Sequence, residues 1–233
     1  MAGAIAAGLE PAEARWIGEE ASGCEGADWV RELDQPSTVR TQRSFDEMVE
    51  RRLAGEPLQY VLGHWAFRDL DLLVDRRVLI PRPETEWVVE AALALVPADR
   101  APTVVDLGTG SGAIALSFAR ALWPRVRVVA TDVSPAALAV ARANVAGLGR
   151  PGTKVELHEG DWFDALPPEL EGEVDLLVSN PPYVAPTDEL PPEVADWEPA
   201  GALVPGPTGL EALGTVLAGA ATWLRAGGWV VCE

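Results

Sequence analysis

The chain has only two cysteines, two histidines, two tyrosines and a single lysine among its 233 residues, and each shortage removes a class of protein. Cys24 and Cys232 are too few and too far apart in sequence to make a disulfide framework, so they read as thiols of a reducing compartment. His64 and His158 cannot build a His-rich metal cluster, and neither stands in a recognisable nucleophilic triad, so no metal is expected. Eighteen basic residues face 36 acidic ones, a net charge of −18, and the acidic excess runs through the whole chain. Affinity for duplex phosphates comes largely from Lys and Arg that neutralise them, so direct DNA binding is not expected. No uninterrupted apolar run reaches the roughly 20 residues that cross a bilayer. The opening MAGAIAAGLEPAEARWIGEEASG lacks the basic and apolar regions of a signal peptide. No membrane partner is expected, and the cytoplasm is the expected location.

What is present is enough apolar sequence, 48% of residues at a mean hydropathy of +0.08, to build a substantial core. The pattern changes twice along the chain. Ala12 to Ala21, with Trp16 and Ile17, and Phe45 to Leu53, with Phe45, Met48, Val49 and Leu53, suggest helices with apolar stripes, interrupted by Gly18, Gly23 and a polar run from Asp34 to Thr41. This predicts a small helical domain over 1–63. Residues Trp65 to Ile80 fall into short apolar segments broken by charged pairs, which suits a β-hairpin linker over 64–83. From residue 84 to 233 a helix, with Trp87, Val88, Ala91, Ala92 and Leu95 as its buried face, leads into alternating strands and Ala-rich helices. Alternation at this spacing predicts an α/β domain with a mostly parallel sheet, helices covering both faces. The Pro- and acid-rich stretch between Tyr183 and Gly209 is long for a connection inside a compact domain and reads as a lid or binding loop, with a short helix around Glu193 to Trp197.

Three segments of that domain point to a nucleoside-like ligand. TVVDLGTGSGAIAL sets Gly108, Thr109, Gly110, Ser111 and Gly112 between a strand and a helix. Glycines there permit a tight turn and close backbone approach, and a helix N-terminus supplies unpaired N–H donors. The spacing is G-x-G-x-G rather than the G-x-G-x-x-G of dinucleotide sites. The next strand ends in Asp132, whose carboxylate can accept hydrogen bonds from both hydroxyls of a ribose, while Ser134 and Pro135 take over the capping of the following helix. In HEGDWF, Asp161 can accept from an adenine amino group and Trp162 or Phe163 can wall the ring; the competing reading makes Asp161 a cap and the aromatics core residues.

VDLLVSNPPYV carries the chemistry. Asn180, Pro181, Pro182 and Tyr183 join a carboxamide, two φ-locked residues and an aromatic face at a strand's end. An amide nitrogen is a poor nucleophile because its lone pair is delocalised into the carbonyl. The Asn180 side-chain oxygen and the Pro181 backbone carbonyl can accept both of its N–H bonds and hold it in line with an electrophile, favouring the charge that develops on attack. Tyr183 can stack on the flat group and exclude water. A catalytic role for Asn180, Pro181 and Tyr183, with Pro182 completing the substrate pocket, is the reading these residues support. An adenine amino group presents the same two N–H bonds, so a nucleic-acid N6-methyltransferase is the enzymatic alternative, though it needs base flipping and phosphate contacts that this charge balance serves poorly.

In order along the chain, RRLAGEPLQYVLG, LIPRPETE, DLGTGSGAIAL, TDVSPAALAVARAN, GDWF and VSNPPYV resemble the release-factor glutamine methyltransferases, which methylate the glutamine of a Gly-Gly-Gln loop in peptide-chain release factors. NPPY alone also occurs in DNA adenine methyltransferases; the first two segments discriminate. The resemblance implies a Rossmann-like class I methyltransferase domain, S-adenosyl-L-methionine as methyl donor and S-adenosyl-L-homocysteine as product, and release factors as protein partners. It implies that Gly108 to Gly112, Asp132, Trp162 and Asn180 contact the donor, that Asn180 to Tyr183 hold the substrate glutamine, and that the N-terminal helical domain engages the release factor. Arg82 and Glu84 are left between the crevice entrance and a linking salt bridge. Two features depart from the family: LVPGPTGLE stands where a Gly-Gly pair often precedes the helix, and WVVCE reads as a fifth strand where the family continues with a helix and two more strands. The second departure implies a shortened chain, with an open sheet edge that lowers stability or promotes association, and leaves a cofactor-binding module without activity as the non-enzymatic alternative.

Overall fold

The computed structural model describes residues 1–33 and 35–233, with only the backbone of Glu32. Asp34, the start of the expected polar interruption, lies outside the described residues. The chain forms two compact units, one of Met1–His64 with Leu190–Trp197, the other of Trp65–Glu189 with Glu198–Glu233.

The first unit is helical, with its main helices at Pro11–Ser22 and Val39–Leu53. Thr38 caps the second of these, its hydroxyl accepting from the Thr41 N–H, and Gly23 ends the first in the left-handed region. Leu9, Ala14, Ile17, Met48, Leu58 and Val61 make its core. The expected stripes are therefore half right: Ile17 and Met48 are buried, whereas Trp16 and Leu53 are 44% and 47% exposed. The short helix expected near Glu193 is Pro192–Ala195, and Arg52 joins it to the longer helices through Glu13 (2.8 Å) and Glu193 (3.2 Å).

Apart from His64, β1 (His64–Phe67) belongs to the second unit, where it forms with β2 (Leu70–Leu73) a hairpin shorter than the sequence suggests. The reason is local: the Asp75 carbonyl accepts from Val78 N–H and its carboxylate from Arg77 N–H, so a turn replaces strand from residue 75. After the helix Pro83–Leu93 come β3 (Thr103–Leu107), β4 (Arg127–Asp132), β5 (Val155–Glu159), β6 (Val174–Ser179) and β7 (Leu224–Cys232). They pair parallel in the order β5-β4-β3-β6-β7. Side chains alternate across this sheet, except at the irregularity between Val174 and Leu176 of β6, which fall in opposite cores. Val104, Val128, Ala130, Leu176 and Val178 face one core with the helix Ala113–Ala121 and the hairpin residues Phe67, Leu70 and Leu72. Val105, Leu107, Val129 and Leu177 face the other, under Val216 and Ala220 of the helix Glu211–Trp223. Both faces are covered, as a parallel sheet requires, and β7 is one edge.

The helix Pro83–Leu93 presents the expected face only in part: Ala92 is buried and Val88 packs against the core as expected. Thr85, Val89 and Ala92 are its buried residues, while Trp87 is 77% exposed. The stripe is turned so that a hydroxyl, not an indole, faces inward.

Candidate functional site

Chain order starts at β3, runs outward to β4 and β5, then returns to β6 on the other side, so the strand order reverses between β3 and β6. Ligands of open α/β sheets bind outside the carboxyl ends of the strands at such a reversal. A crevice of about 350 Å³ opens there, lined by Gly108 and Gly110 after β3, Asp132 and Val133 after β4, Gly160 to Trp162 after β5, and Asn180 and Pro182 after β6. Arg77 to Leu79 and the segment around Gly201 close its remaining walls. Four strand ends thus converge on one space of ligand size.

The glycine turn works differently from the expectation of free donors. Gly108 and Thr109 both donate to the Thr131 carbonyl (2.9 and 2.8 Å), Gly110 donates to Asp132 Oδ2 (2.8 Å), Gly112 to the Thr109 carbonyl (2.8 Å) and Ala115 to Asp106 Oδ2 (3.1 Å). With those N–H groups spent on carbonyls and two carboxylates, the turn is no cradle for a phosphate, which argues physically against a dinucleotide. Gly108 (φ +73°) and Gly110 (φ +56°) instead let the backbone pass close under a ligand. Thr109, Ser111 and Gly112 do not reach the crevice wall. Thr109 is buried and donates to Asp106 Oδ2 (2.6 Å), Ser111 is buried with its carbonyl taken by Asn144 (2.9 Å), and Gly112 sits against Leu116 and Ala141. The same Asn144 exchanges hydrogen bonds with the Leu73 backbone (2.7 and 3.0 Å), tying the hairpin to the turn.

Asp132 faces the ligand space, as Ser134 does cap the next helix by accepting from the Ala137 N–H (3.1 Å). Its Oδ1 accepts from the Ser134 N–H (2.9 Å) and its Oδ2 from Gly110, each oxygen keeping a lone pair. Burial raises its carboxyl pKa, and those two backbone donors oppose the rise. Val133, 66% exposed and on the crevice, supplies an apolar edge that sequence reasoning missed. Of the two aromatic candidates, Trp162 lines the crevice over Gly108, whereas Phe163 stacks on Trp223 at 6.1 Å and belongs to the core. Trp162 holds φ +43°, a conformation a bulky residue adopts only where its surroundings impose it. Asp161 is on the wall and exposed. Acceptors at Asp132 and Asp161 with apolar surfaces at Val133 and Trp162 suit a nucleoside.

Asp106 is the charged residue the sequence reading passed over, although an acid inside the apolar run TVVDLG was the signal. It is fully buried, its Oδ1 has no partner, and burial foremost drives its pKa to about 7, with Asp132 adding to the rise. A carboxyl whose folded pKa exceeds its unfolded one stabilises most at low pH, and that contribution is lost as pH climbs towards 7. Denaturant unfolding of the wild type should therefore lose stability, relative to Asp106→Asn, between its ordinary pKa of 3.8 and about 7, by on the order of a few kcal/mol. Parallel pH profiles of the two proteins would refute this.

At the end of β6, Ser179 Oγ donates to the Leu107 carbonyl (2.7 Å) and fixes the base of the NPPY segment. Asn180 Nδ2 donates to Thr85 Oγ1 (3.1 Å), and Thr85 Oγ1 donates to Glu233 Oε2 (2.5 Å). Pro181 is buried; Tyr183 is 53% exposed and off the crevice wall, its hydroxyl pKa raised first by burial and then by Glu233. Arg82 does not line the crevice: with Ile80 N–H it binds the buried Glu198 (2.5 and 3.2 Å), the linking role. Glu84 is exposed and off the wall as well, near enough to Tyr183 to act on its hydroxyl. Gly209 (φ +81°) explains how LVPGPTGLE is accommodated, since a Cβ there would lie 2.8 Å from the Tyr183 carbonyl. Gly209→Ala should lose about 1–2 kcal/mol from the left-handed conformation alone, more if Tyr183 cannot yield; urea unfolding with no change in midpoint would contradict the contact.

Among the described residues no group of three or more His, Cys, Asp or Glu side chains could hold a metal, and no helix is long and apolar enough to cross a membrane. Both cysteines are free thiols.

Residues 5–63 match the family model for the PrmC N-terminal domain and residues 90–194 that for the methyltransferase small domain. The chain is 42% identical over 226 residues to the release factor glutamine methyltransferase of Xylella fastidiosa (strain 9a5c), covering 97% of this chain and 80% of that one. It is 42% identical over 227 residues to the enzyme of the same name from Bordetella pertussis, covering 97% and 82%. Among solved structures, the hMettl16 catalytic domain in complex with the MAT2A 3'UTR hairpin 6 matches with a TM-score of 0.52 at 18% identity, over 77% of this chain and 66% of that one, a likeness of fold alone.

Proposed function

Because the chain belongs to the release factor glutamine methyltransferase family, we infer that it transfers a methyl group from S-adenosyl-L-methionine to the side-chain amide nitrogen, N5, of the glutamine in the Gly-Gly-Gln loop of peptide-chain release factors. The observation that supports the site most strongly is the carboxamide of Asn180, presented on the same crevice as Asp132 and Trp162. When bound, the cofactor supplies an activated methyl electrophile, so no metal is needed. Asp132 accepts from the ribose hydroxyls, Asp161 from the adenine amino group, and Val133 and Trp162 cover the ring faces. Gly108 and Gly110 allow the donor to lie close against the turn. Asn180 Oδ1 and the Pro181 carbonyl accept the two N–H bonds of the glutamine amide, which aligns its nitrogen and favours the positive charge it gains on attack. With the donor bound, Asn180 Oδ1 and the Pro181 carbonyl would hold the nitrogen as the N–C bond forms and the C–S bond breaks, while its surplus proton passes to solvent at the crevice mouth. Pro182, on the crevice wall, borders the amide, whereas Tyr183 stands outside that wall and is left without the stacking role. The helical residues 1–63 engage the release factor, the hairpin 64–83 links them to the catalytic residues 84–233, and the cytoplasm, where translation ends, is the site of action.

Labelled S-adenosylmethionine, offered with a release factor, with its Gln→Ala loop variant and with unmethylated DNA, tests the reading. Label on the release factor that disappears with the glutamine supports it; label on DNA rejects it.

A further inference from the structure

The hydrogen bonds around Asn180 run in one direction only. A carboxylate accepts and cannot donate, so the hydroxyl hydrogen of Thr85 is committed to Glu233 Oε2 (2.5 Å). What Thr85 Oγ1 has left is lone pairs, and only the NH₂ end of Asn180 can satisfy them (3.1 Å). The carboxamide therefore cannot flip without setting its oxygen against an oxygen that has no hydrogen to offer. Its Oδ1 end is left for the crevice that Asn180 lines. Had a neutral donor stood at 233, the hydroxyl could turn and either end of Asn180 could face the substrate.

The parts are held rigidly. Thr85 is 5% exposed, on the inward face of the helix Pro83–Leu93. Glu233 follows β7 directly: Cys232 pairs with Ser179, and Glu233 N–H donates to the Ser179 carbonyl (3.1 Å), one residue before Asn180. The carboxylate that sets the direction of the chain is thus carried to the site by the strand register itself. Glu233 also acts on the Tyr183 hydroxyl, so both ends of the NPPY segment refer to one acid.

We propose that Thr85 and Glu233 are positioning residues for amide methylation, a one-way hydrogen-bond relay that fixes the Asn180 carboxamide with its oxygen toward the substrate nitrogen. The proposal rests on the glutamine-methylation reading and adds to it what makes Asn180 an acceptor rather than a donor.

The test uses the whole 233-residue chain with Thr85→Val, Thr85→Ser and Glu233→Gln, the release factor and S-adenosylmethionine. Thr85→Val and Glu233→Gln should lower kcat about 10- to 100-fold, the scale of a misoriented reacting group, with the affinity for S-adenosylhomocysteine by titration calorimetry unchanged. Thr85→Ser, which keeps the hydroxyl, should restore most of the turnover. The side-chain amide signal of Asn180 in ¹⁵N–¹H spectra, identified by its loss in Asn180→Ala, should move in Thr85→Val and return in Thr85→Ser. Wild-type kcat in Glu233→Gln, a loss that follows cofactor affinity, or a loss that serine fails to rescue would overturn the relay while leaving the function intact; if Thr85→Val does not fold, the other two variants decide. A wild-type chain that leaves the glutamine unlabelled overturns the functional reading, and the relay with it.

Discussion

Replacing Asn180 by alanine should reduce kcat for release-factor methylation by about 10²–10³-fold, the usual cost of deleting one oriented hydrogen-bond partner of a developing charge, while the affinity for S-adenosylhomocysteine stays close to that of the wild type. The split follows from geometry. Asn180 stands at the end of β6, on the crevice wall, with its NH₂ group engaged by Thr85. On the proposed reading, what alanine removes is the acceptor for the attacking nitrogen, an interaction that would strengthen as the nitrogen becomes positive and that the resting amide uses less. Single-turnover rates and titration calorimetry on the same preparation check both halves. A large loss of cofactor affinity with a normal single-turnover rate would move Asn180 from the amide to the cofactor.

Asp132→Ala should do the reverse. On the proposed reading its two oxygens, steadied by the Ser134 and Gly110 amides, would accept from the ribose hydroxyls in charge-assisted hydrogen bonds of about 1.5–3 kcal/mol each. Removing them should weaken cofactor binding by roughly two orders of magnitude or more, and the freed Gly110 amide loosens the turn as well. At saturating cofactor, turnover should recover most of its wild-type value. Unchanged affinity in calorimetry would show that Asp132 is an anchor for the glycine turn and not a ligand for ribose.

The fold was legible because its periodicities are strong. Strands such as VVDL and DLLVS are mostly apolar and buried on both faces, with Asp106, Asp175 and Ser179 as buried polar exceptions, and the Ala-rich helices between them leave little choice but a parallel sheet. The candidate site was legible where a residue must stand at a strand end: Gly108, Gly110, Asp132, Asp161, Trp162 and Asn180 all line the crevice, whereas Thr109, Ser111, Gly112 and Tyr183 do not. What escaped was decided by packing. The apolar spacing of the helix sets Trp87 on the buried face with Ala92, yet it is Thr85 and Val89 that turn inward beside Ala92. No propensity distinguishes those two stripes; the neighbouring sheet does. Thr85 and Glu233 are 148 residues apart, and nothing local marks either as a partner of Asn180. The free amides expected at the glycine turn were absorbed by Asp106, Asp132 and the Thr131 carbonyl, a matter of which groups the sheet brings within reach. The resemblance implies contacts along the whole turn from Gly108 to Gly112, but the left-handed glycines at 110 and 112 turn Thr109, Ser111 and Gly112 away from the crevice wall.

The most direct test is a crystal structure with S-adenosylhomocysteine and a Gly-Gly-Gln-bearing release factor. The glutamine nitrogen should lie within hydrogen-bonding distance of Asn180 Oδ1 and of the Pro181 carbonyl, facing the sulfur, with Asn180 Nδ2 still on Thr85. A glutamine bound elsewhere, or an Asn180 whose oxygen turns to Thr85, would contradict the account.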